Sequence, residues 1–283
     1  MKTFNQTPIS EAEINDRIAQ ITKRGFLNLS EIDALKLSLS MIDLTTLEGA
    51  DTDEKVIKLC KKAFNYNIQN PLVPNVAAVC VYPTLVKVAK HTLAGKNINI
   101  AAVAGAFPSG QSPINVKVEE VKYAVQEGAD EIDMVISRGK FLEGKYEIVF
   151  NEITAIKEAC GNAHLKVILE TGELETLSNI KLASEIAISA GADFIKTSTG
   201  KISPAATEQA FLVMLDVIKT HYLKTDKMIG IKPAGGIVEP KSALRYLMLL
   251  EETLGVKWLN NHWARFGASR LADNVYNEII AQI

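Results

Sequence analysis

Short apolar runs typical of buried strands alternate with amphipathic segments typical of helices along most of this sequence. Eight such runs occur, and helix-like segments between them end at glycine, as at Gly128 and Gly191. Repeated strand–helix units with short connections favour a parallel sheet covered by helices. Eight units in 283 residues predict an α/β protein with a closed (β/α)₈ barrel, the TIM-barrel fold. The predicted strands span residues 39–44, 76–81, 98–103, 131–136, 165–170, 194–196, 228–232 and 263–266.

An open, doubly wound sheet is the alternative to a barrel. Such sheets bind dinucleotides at a glycine-rich turn after the first strand. No GxGxxG motif follows residues 39–44 in this sequence. The sequence therefore favours the barrel and gives no support for a dinucleotide cofactor.

A short helical extension is predicted ahead of the barrel. Ser10 and Glu13 have the spacing of a capping box, and isoleucines follow them at helical intervals. A second helix is predicted after residues 28–32. No low-complexity linker divides the rest of the chain. We therefore predict a helical extension over residues 1–37 and one catalytic barrel domain over residues 38–283.

Charge and composition narrow the range of partners. The formal net charge of −2 shows no basic bias, so a nucleic-acid partner is not expected. No apolar run has the length of a membrane span, and the N-terminus lacks the apolar core of a signal peptide. Three widely spaced cysteines fit a reducing cytoplasm, which is the predicted location. The four histidines form no close pair, so no metal site is predicted.

Two lysines stand at the ends of predicted strands. Lys196 follows an apolar run and opens a polar loop, and Lys232 repeats this pattern. A buried lysine loses its charge readily, and a neutral amine can form a Schiff base with a carbonyl. Two lysines on adjacent strands would also disfavour each other's charge. The alternatives are that Lys196 reaches out to water from an edge strand, or that the two lysines bind phosphate separately.

Asp133 is a carboxylate inside an otherwise apolar strand. A buried carboxylate is usually paired with a cation or a hydrogen-bond donor. The fourth, sixth and seventh strands of a barrel can all direct side chains toward the same mouth. Asp133 is therefore predicted to meet one of the strand-end lysines, and its alternative role is to cap a neighbouring loop.

Several loops are predicted at the C-terminal face of the barrel. Residues 235–236 and 267–269 follow the last two strands, and their small side chains leave backbone N–H groups free to bind phosphate. The Pro-rich segment 107–113 follows the third strand and is expected on the same face. Cys80 is interpreted as an inert core cysteine, because no histidine stands beside it by any known spacing.

Seven segments of the sequence resemble the deoxyribose-phosphate aldolase family, and the resemblance runs from about residue 39 to the end. It implies a (β/α)₈ barrel that acts as a lyase through a lysine Schiff base, without a metal or other cofactor. The implied reaction is the reversible cleavage of 2-deoxy-D-ribose 5-phosphate to D-glyceraldehyde 3-phosphate and acetaldehyde, in deoxyribonucleotide catabolism. The segments are residues 42–47, 51–56, 79–83, 131–135, 167–174, 194–200 and 230–236.

The same resemblance implies roles for individual residues. Lys196 would form the Schiff base, with Asp133 and Lys232 as its proton-transfer partners. The implied small-molecule partners are a phosphosugar and an aldehyde, and a homodimer is the predicted assembly. The residues expected to bind the phosphate are Thr199, Gly200, Lys201, Gly235, Gly236 and Ser269.

Two features depart from the family pattern. Many members have two serines where this chain has Ser269 and Arg270, so Arg270 either strengthens phosphate binding or points outward. Some members end in a flexible tail with a terminal tyrosine implicated in proton transfer, and the sequence printed here has none after Tyr276. The expectation is then a proton shuttle through water, or slower turnover.

Two other functions stay open at the level of the sequence. One is a Schiff-base aldolase that acts on a different phosphosugar. The other is a catalytically silent phosphosugar-binding barrel. The presence of Lys196, Lys232 and Asp133 together speaks against the second, because binding alone does not need a neutral amine.

Overall fold

Eight strands and twelve α-helices follow one another in the computed structural model, which describes residue 6 and residues 8–283. The strands are β1 (Ile42–Thr45), β2 (Ala78–Val81), β3 (Asn99–Ala104), β4 (Glu131–Val135), β5 (His164–Ile168), β6 (Phe194–Lys196), β7 (Gly230–Lys232) and β8 (Phe266–Ala268). The helices are α1 (Glu11–Arg24), α2 (Glu31–Ser40), α3 (Asp53–Ala63), α4 (Asn65–Gln69), α5 (Val86–Thr92), α6 (Ile114–Gln126), α7 (Arg138–Leu142), α8 (Tyr146–Cys160), α9 (Leu177–Ser189), α10 (Glu208–Thr225), α11 (Pro240–Leu254) and α12 (Leu271–Gln282).

The strands form one parallel sheet in the order β7-β6-β5-β4-β3-β2-β1-β8. Two single bridges, Ile231 to Ala264 and Ala234 to Gly267, join β7 to the segment around β8. These bridges connect the two ends of the sheet, so that it closes into a barrel with the helices outside. The predicted (β/α)₈ fold is therefore confirmed.

Side chains along each strand alternate between the helices and the barrel lumen. Val79, Ile132 and Val167 belong to the large apolar cluster between the sheet and the helices. Their neighbours at alternate positions point the other way. The lumen of such a barrel usually holds branched apolar residues. Here the lumen also holds the charged side chains of Asp133 and Lys166, which are both fully buried.

The first predicted strand begins too early. Residues 39–40 belong to α2, and β1 starts only at Ile42. Leu35 and Leu39 are both buried one helical turn apart, so the apolar run is the inner face of a helix that continues farther than the pattern indicated.

The last predicted strand is displaced along the chain. The segment 263–265 pairs with β7, because the Ile231 N–H donates to the Trp263 carbonyl at 2.9 Å and the Arg265 N–H donates to the Ile231 carbonyl at 3.0 Å. The chain then changes partner, and the Phe266 N–H donates to the Met41 carbonyl before β1 at 2.9 Å. The regular strand β8 consequently begins where the prediction ended.

Both predicted N-terminal helices are present. The Glu13 N–H donates to the Ser10 hydroxyl at 3.3 Å, as a helix cap requires. The apolar face of α1 packs on α10 and α11. Arg17 adds a bidentate ion pair with Asp216 of α10, with N–O distances of 2.6 and 2.9 Å. None of the helices in the described part of the chain is long and apolar enough to cross a bilayer.

Candidate active site

Lys196 and Lys232 lie side by side at the C-terminal ends of β6 and β7. They are register partners in the parallel ladder, so their side chains leave the sheet on the same side. Ile195 and Ile231 precede them and belong to the outer apolar cluster, which directs both lysines into the lumen. Each Nζ donates to the same oxygen, Oδ2 of Asp133, at 2.7 Å. The structure thus brings together the three residues predicted to carry the chemistry.

Asp133 is surrounded by cations. Its second oxygen, Oδ1, accepts a hydrogen bond from Lys166 at 2.9 Å, and the side chain has no exposed area. Burial alone would raise the pKa of this carboxyl, but the charges of Lys166, Lys196 and Lys232 outweigh burial and hold the pKa well below its ordinary value. Asp133 is therefore held in its ionised, proton-free form.

The two strand-end lysines have opposite pKa shifts. Burial lowers the pKa of Lys196, and the charge of Lys232 lowers it further against the attraction of Asp133. Burial also acts to lower the pKa of Lys232, but Asp133 and Asp43 together outweigh it and raise the pKa. Lys196 is thus the lysine that more readily becomes a neutral amine, while Lys232 keeps its proton.

A network of buried charges lies behind these residues, and the sequence reasoning did not identify it. The Arg265 guanidinium donates to Asp43 at 2.7 Å and to Glu131 at 2.8 Å. Lys166 bonds to Glu131 as well as to Asp133. Asp43 in turn accepts from Lys232, which connects this network to the strand-end lysines. The network anchors both oxygens of the central carboxylate and holds the charge of Lys232.

A cavity of about 630 Å³ opens above the lysines at the C-terminal ends of the strands. Lys196 lines it, with 3 % of its surface exposed, whereas Lys232 is fully buried behind it. Lys196 is therefore the amine that a substrate can reach. Arg270 also lines this cavity. All six predicted phosphate-binding residues do so: Thr199, Gly200, Lys201, Gly235, Gly236 and Ser269.

Glycine is required at the tip of the β7 loop. Gly235 has a φ of +83°, and a Cβ there would lie 2.6 Å from Cβ of Ala205 and 3.0 Å from Cα of Gly200. A side chain would push the β6 and β7 loops apart. The close contact of these two loops gathers the backbone around the cavity, which a bound phosphate would need.

A buried carboxylate fixes the loop that follows Lys196. Glu170, after β5, accepts hydrogen bonds from the N–H and the hydroxyl of Thr199. The Arg138 guanidinium donates to Glu170 at 3.3 Å and to the carbonyl of Pro108 at 3.0 Å. Glu170 itself has a left-handed backbone, with a φ of +58°. These contacts link the loops after β3, β5 and β6 into one rim. The sequence reasoning noted Glu170 as a strand end but did not identify this role.

The predicted β3 loop, residues 107–113, lies at the same end of the barrel, where Phe107 packs edge-on against Tyr82 with ring centroids 6.1 Å apart.

Cys80 lies in the lumen near Asp133 and the lysines, and burial raises the pKa of its thiol to about 11. No group of three or more His, Cys, Asp or Glu side chains is arranged to hold a metal ion in the described residues, 6 and 8–283.

The fold and the site define a class, a (β/α)₈-barrel enzyme with an accessible lysine amine at its mouth. Residues 37–250 match the model of the DeoC/LacD family aldolases, and the chain belongs to this family. It is therefore an aldolase, and hence a lyase.

Individual relatives agree with this assignment. Human deoxyribose-phosphate aldolase is 46 % identical over 253 residues, which cover 86 % of this chain and 79 % of the human protein. The mouse deoxyribose-phosphate aldolase is 45 % identical over 288 residues, covering 98 % of this chain and 90 % of the mouse protein. The solved tetrameric structure of deoxyribose phosphate aldolase from Aeropyrum pernix shares the fold, with a TM-score of 0.71 at 24 % identity over 97 % of this chain and all of that one.

Proposed function

We propose that this chain is a deoxyribose-phosphate aldolase that cleaves 2-deoxy-D-ribose 5-phosphate to D-glyceraldehyde 3-phosphate and acetaldehyde through an imine on Lys196. One observation carries the assignment of the lysine. Lys196 reaches the cavity while Lys232, held charged, shares the same oxygen of Asp133 at 2.7 Å. The human and mouse relatives, which bear the name of this activity, support the choice of substrate.

The first half of the reaction attaches the substrate. The neutral Nζ of Lys196 adds to the aldehyde carbon C1 of the open-chain sugar, and the resulting carbinolamine loses water to give an iminium. Loss of water needs a proton on the departing oxygen. Lys232 stays protonated beside this site, and we assign it as the source of that proton, either directly or through Asp133, to which both lysines donate.

The second half breaks the bond between C2 and C3. A base removes the proton of the C3 hydroxyl, the C2–C3 electron pair moves into the iminium, and D-glyceraldehyde 3-phosphate leaves. The remaining enamine takes a proton at C2, and water hydrolyses the iminium to release acetaldehyde and the free amine. We assign these proton transfers to Asp133 and Lys232, which hold a proton acceptor and a proton donor beside the imine nitrogen. Because the iminium accepts the electron pair, this sequence calls for no Lewis acid.

The phosphate of the substrate is assigned to the opposite end of the cavity. Lys201 supplies an ammonium, and Gly235 and Gly236 supply backbone that lies open to the cavity. Ser269 and Arg270 precede α12, and both line the same cavity. We propose that Arg270 adds charge to this phosphate site.

Reductive trapping tests the proposal directly. Borohydride added with acetaldehyde should add one ethyl group to the peptide that contains Lys196, and Lys196→Met should abolish the adduct. Lys117, which is equally buried but bonded to Ser137 and Glu152, should stay unmodified. An adduct found on Lys232 alone would overturn the assignment of the nucleophile.

We propose a homodimer as the assembly. Leu72 and Val256 are exposed by 66 % and 61 % and line one shallow groove, so a second copy of the chain could cover them. Sedimentation of the intact protein should give twice the chain mass, and replacing both residues by aspartate should give the monomer. A monomeric wild type at micromolar concentration would contradict the proposal.

We also propose a cytoplasmic location. We further propose that residues 1–37 form a helical extension and residues 38–283 one catalytic domain. Cys60, Cys80 and Cys160 are all buried and unpaired by disulfides, which is typical of a reducing compartment. The family model begins at residue 37, close to the predicted start of the catalytic domain, although α2 continues to Ser40 across that boundary. Fractionation of the native host cell checks the location.

A further inference from the structure

An ion pair crosses the rim of the active-site cavity. Nζ of Lys201, in the loop after β6, lies 2.9 Å from Oε1 of Glu48, in the loop after β1. The Glu48 side chain is 65 % exposed and that of Lys201 30 % exposed, and both residues line the cavity that contains Lys196. The sequence reasoning gave Lys201 a role in phosphate binding and gave Glu48 none.

The backbone that carries Glu48 is fixed. The Asp51 carboxylate accepts from the Glu48 N–H at 2.9 Å and from the Thr46 hydroxyl at 2.9 Å. The Asp51 N–H donates back to the Glu48 carbonyl at 3.0 Å, which closes a turn. Asp51 has only 2 % of its side chain exposed and is paired with Lys55. The carboxylate of Glu48 is therefore presented to the cavity from a stiff turn and not from a free loop.

The backbone that carries Lys201 is equally well held. Its N–H donates to the Thr199 hydroxyl at 3.1 Å, and Thr199 is bonded to the buried Glu170. Both ends of the ion pair thus start from ordered loops. Only the two exposed side chains must move for the pair to open.

The position of the pair in the barrel connects it with the phosphate. In the sheet, β7 and β8 lie between β6 and β1. An ion pair from the β6 loop to the β1 loop must therefore span the loops of β7 and β8. Those loops carry Gly235, Gly236 and Ser269, which are three of the six predicted phosphate-binding residues. The Glu48 carboxylate consequently lies at the edge of the site that the substrate's phosphate would enter.

We infer that Glu48 is an internal competitor of the substrate's phosphate, because it occupies Lys201 in the free enzyme and is displaced when the phosphate binds. This inference rests on the proposed function, because it assumes that Lys201 binds the phosphate. A carboxylate and a phosphate are recognised by the same ammonium, and only one of them can occupy it fully. Breaking an exposed ion pair costs little free energy, so a phosphate dianion can replace the carboxylate. A neutral sugar has no group that can do so.

Glu48 should therefore weaken the binding of every phosphate anion without affecting the chemistry at Lys196. In Glu48→Gln, the KM for 2-deoxy-D-ribose 5-phosphate and the dissociation constant of inorganic phosphate should both fall, by about two- to fivefold, the range expected for an exposed ion pair. The KM for unphosphorylated 2-deoxy-D-ribose and the kcat should stay unchanged.

A matched control separates this contact from a general change in charge. Glu54 is also exposed, and it pairs at 2.7 Å with Lys58, another residue that lines the cavity. Glu54→Gln makes the same charge change at the same mouth without touching Lys201. It should leave phosphate binding unchanged at physiological salt, where exposed charges are screened. An equal gain of affinity in both variants would overturn the inference.

A double-mutant cycle tests the coupling itself. Lys201→Met should weaken inorganic phosphate binding, measured by titration calorimetry without turnover, and adding Glu48→Gln to it should cause no further change. An effect of Glu48→Gln that persists without Lys201 would show that the two residues are not coupled. Because phosphate binding is measured apart from catalysis, its outcome is distinct from a failure of borohydride trapping, which would overturn the proposed function.

Discussion

Asp133 combines two tasks in one side chain. It accepts hydrogen bonds from three buried lysines, and it lies beside the nitrogen at which the imine is proposed to form. A buried charge that loses its partner is costly, so a change at Asp133 should affect both folding and catalysis. The two contributions can be separated by comparison with a second buried carboxylate of the same network.

Asp133→Asn should lower kcat by about 10²–10⁴-fold, because it removes the proton acceptor while keeping the shape of the side chain. Its free energy of unfolding should also fall by about 3–5 kcal/mol. Glu131→Gln is the matched control, since Glu131 is buried and bonded to Lys166 and Arg265 but does not contact Lys196. It should lose similar stability and little kcat. Near-normal turnover by folded Asp133→Asn would make Asp133 a structural residue only.

Lys232→Met should change the pH dependence of imine formation. The charge of Lys232 helps to lower the pKa of Lys196, so its removal should raise that pKa. The neutral amine forms as the pH rises through the pKa of Lys196, so the rise in trapping rate should move to higher pH. Borohydride trapping with acetaldehyde at a series of pH values measures this. Lys117→Met, a change at a buried lysine bonded to Ser137, should leave the profile in place. An unchanged profile in Lys232→Met would remove its electrostatic role.

At the scale of residues, the sequence predicted Asp133 and the two lysines that end strands, but not the other members of the buried charge network. Lys196 and Lys232 could be found because each follows an apolar run and precedes a glycine loop. Lys166 also interrupts an apolar run, but its role depends on which side chains face it across β4 and β5, and that depends on register. Glu48 could not be found, because its partner Lys201 is far along the chain and the contact exists only once the barrel has closed.

At the scale of elements, the β6 loop owes its position to Glu170. Glu170→Gln keeps the shape of the side chain. It puts an amide nitrogen in place of one carboxylate oxygen, the one that accepts hydrogen bonds from both Thr199 and Arg138. Because a charge-assisted hydrogen bond is worth about 1.5–3 kcal/mol, we expect the KM for the phosphosugar to rise by about tenfold. Trapping of Lys196 with acetaldehyde, which carries no phosphate, should change far less.

Glu173→Gln is the control for this element. Glu173 contacts Arg138 at 2.7 Å but is 41 % exposed and makes no bond to Thr199. It should leave the KM almost unchanged. A similar rise of KM in both variants would mean that Arg138, and not the bond to Thr199, positions the loop.

The element boundaries show where a local pattern stops being informative. Leu39 satisfies a strand pattern and a helix pattern equally well, and it belongs to α2 because that helix packs against α11 and α12. The start of β8 depends on the point at which the chain leaves β7 and joins β1, which is a property of the closed barrel. In both places tertiary packing decides the boundary.

At the scale of the whole molecule, the alternation of eight strand-like runs was enough to predict the barrel, because few other folds can cover so many buried parallel strands. The same pattern could not show that charged residues occupy the lumen. A charged residue in a strand gives the same sequence pattern whether its side chain faces water or a buried side chain of opposite charge. The relation of the N-terminal helices to the barrel was equally inaccessible, because it depends on the faces of α10 and α11.

These contacts predict that the extension and the barrel unfold together. Ile18 of α1 is only 6 % exposed and lies in the same apolar cluster as the barrel helices. Ile18→Ala should lower the free energy of unfolding by about 2–5 kcal/mol, with a single thermal transition at lower temperature and an unchanged kcat/KM. Ile68→Ala removes the same atoms from a side chain that is 65 % exposed and should have little effect. Two separate transitions in Ile18→Ala would instead make the extension an independent unit that only rests on the barrel.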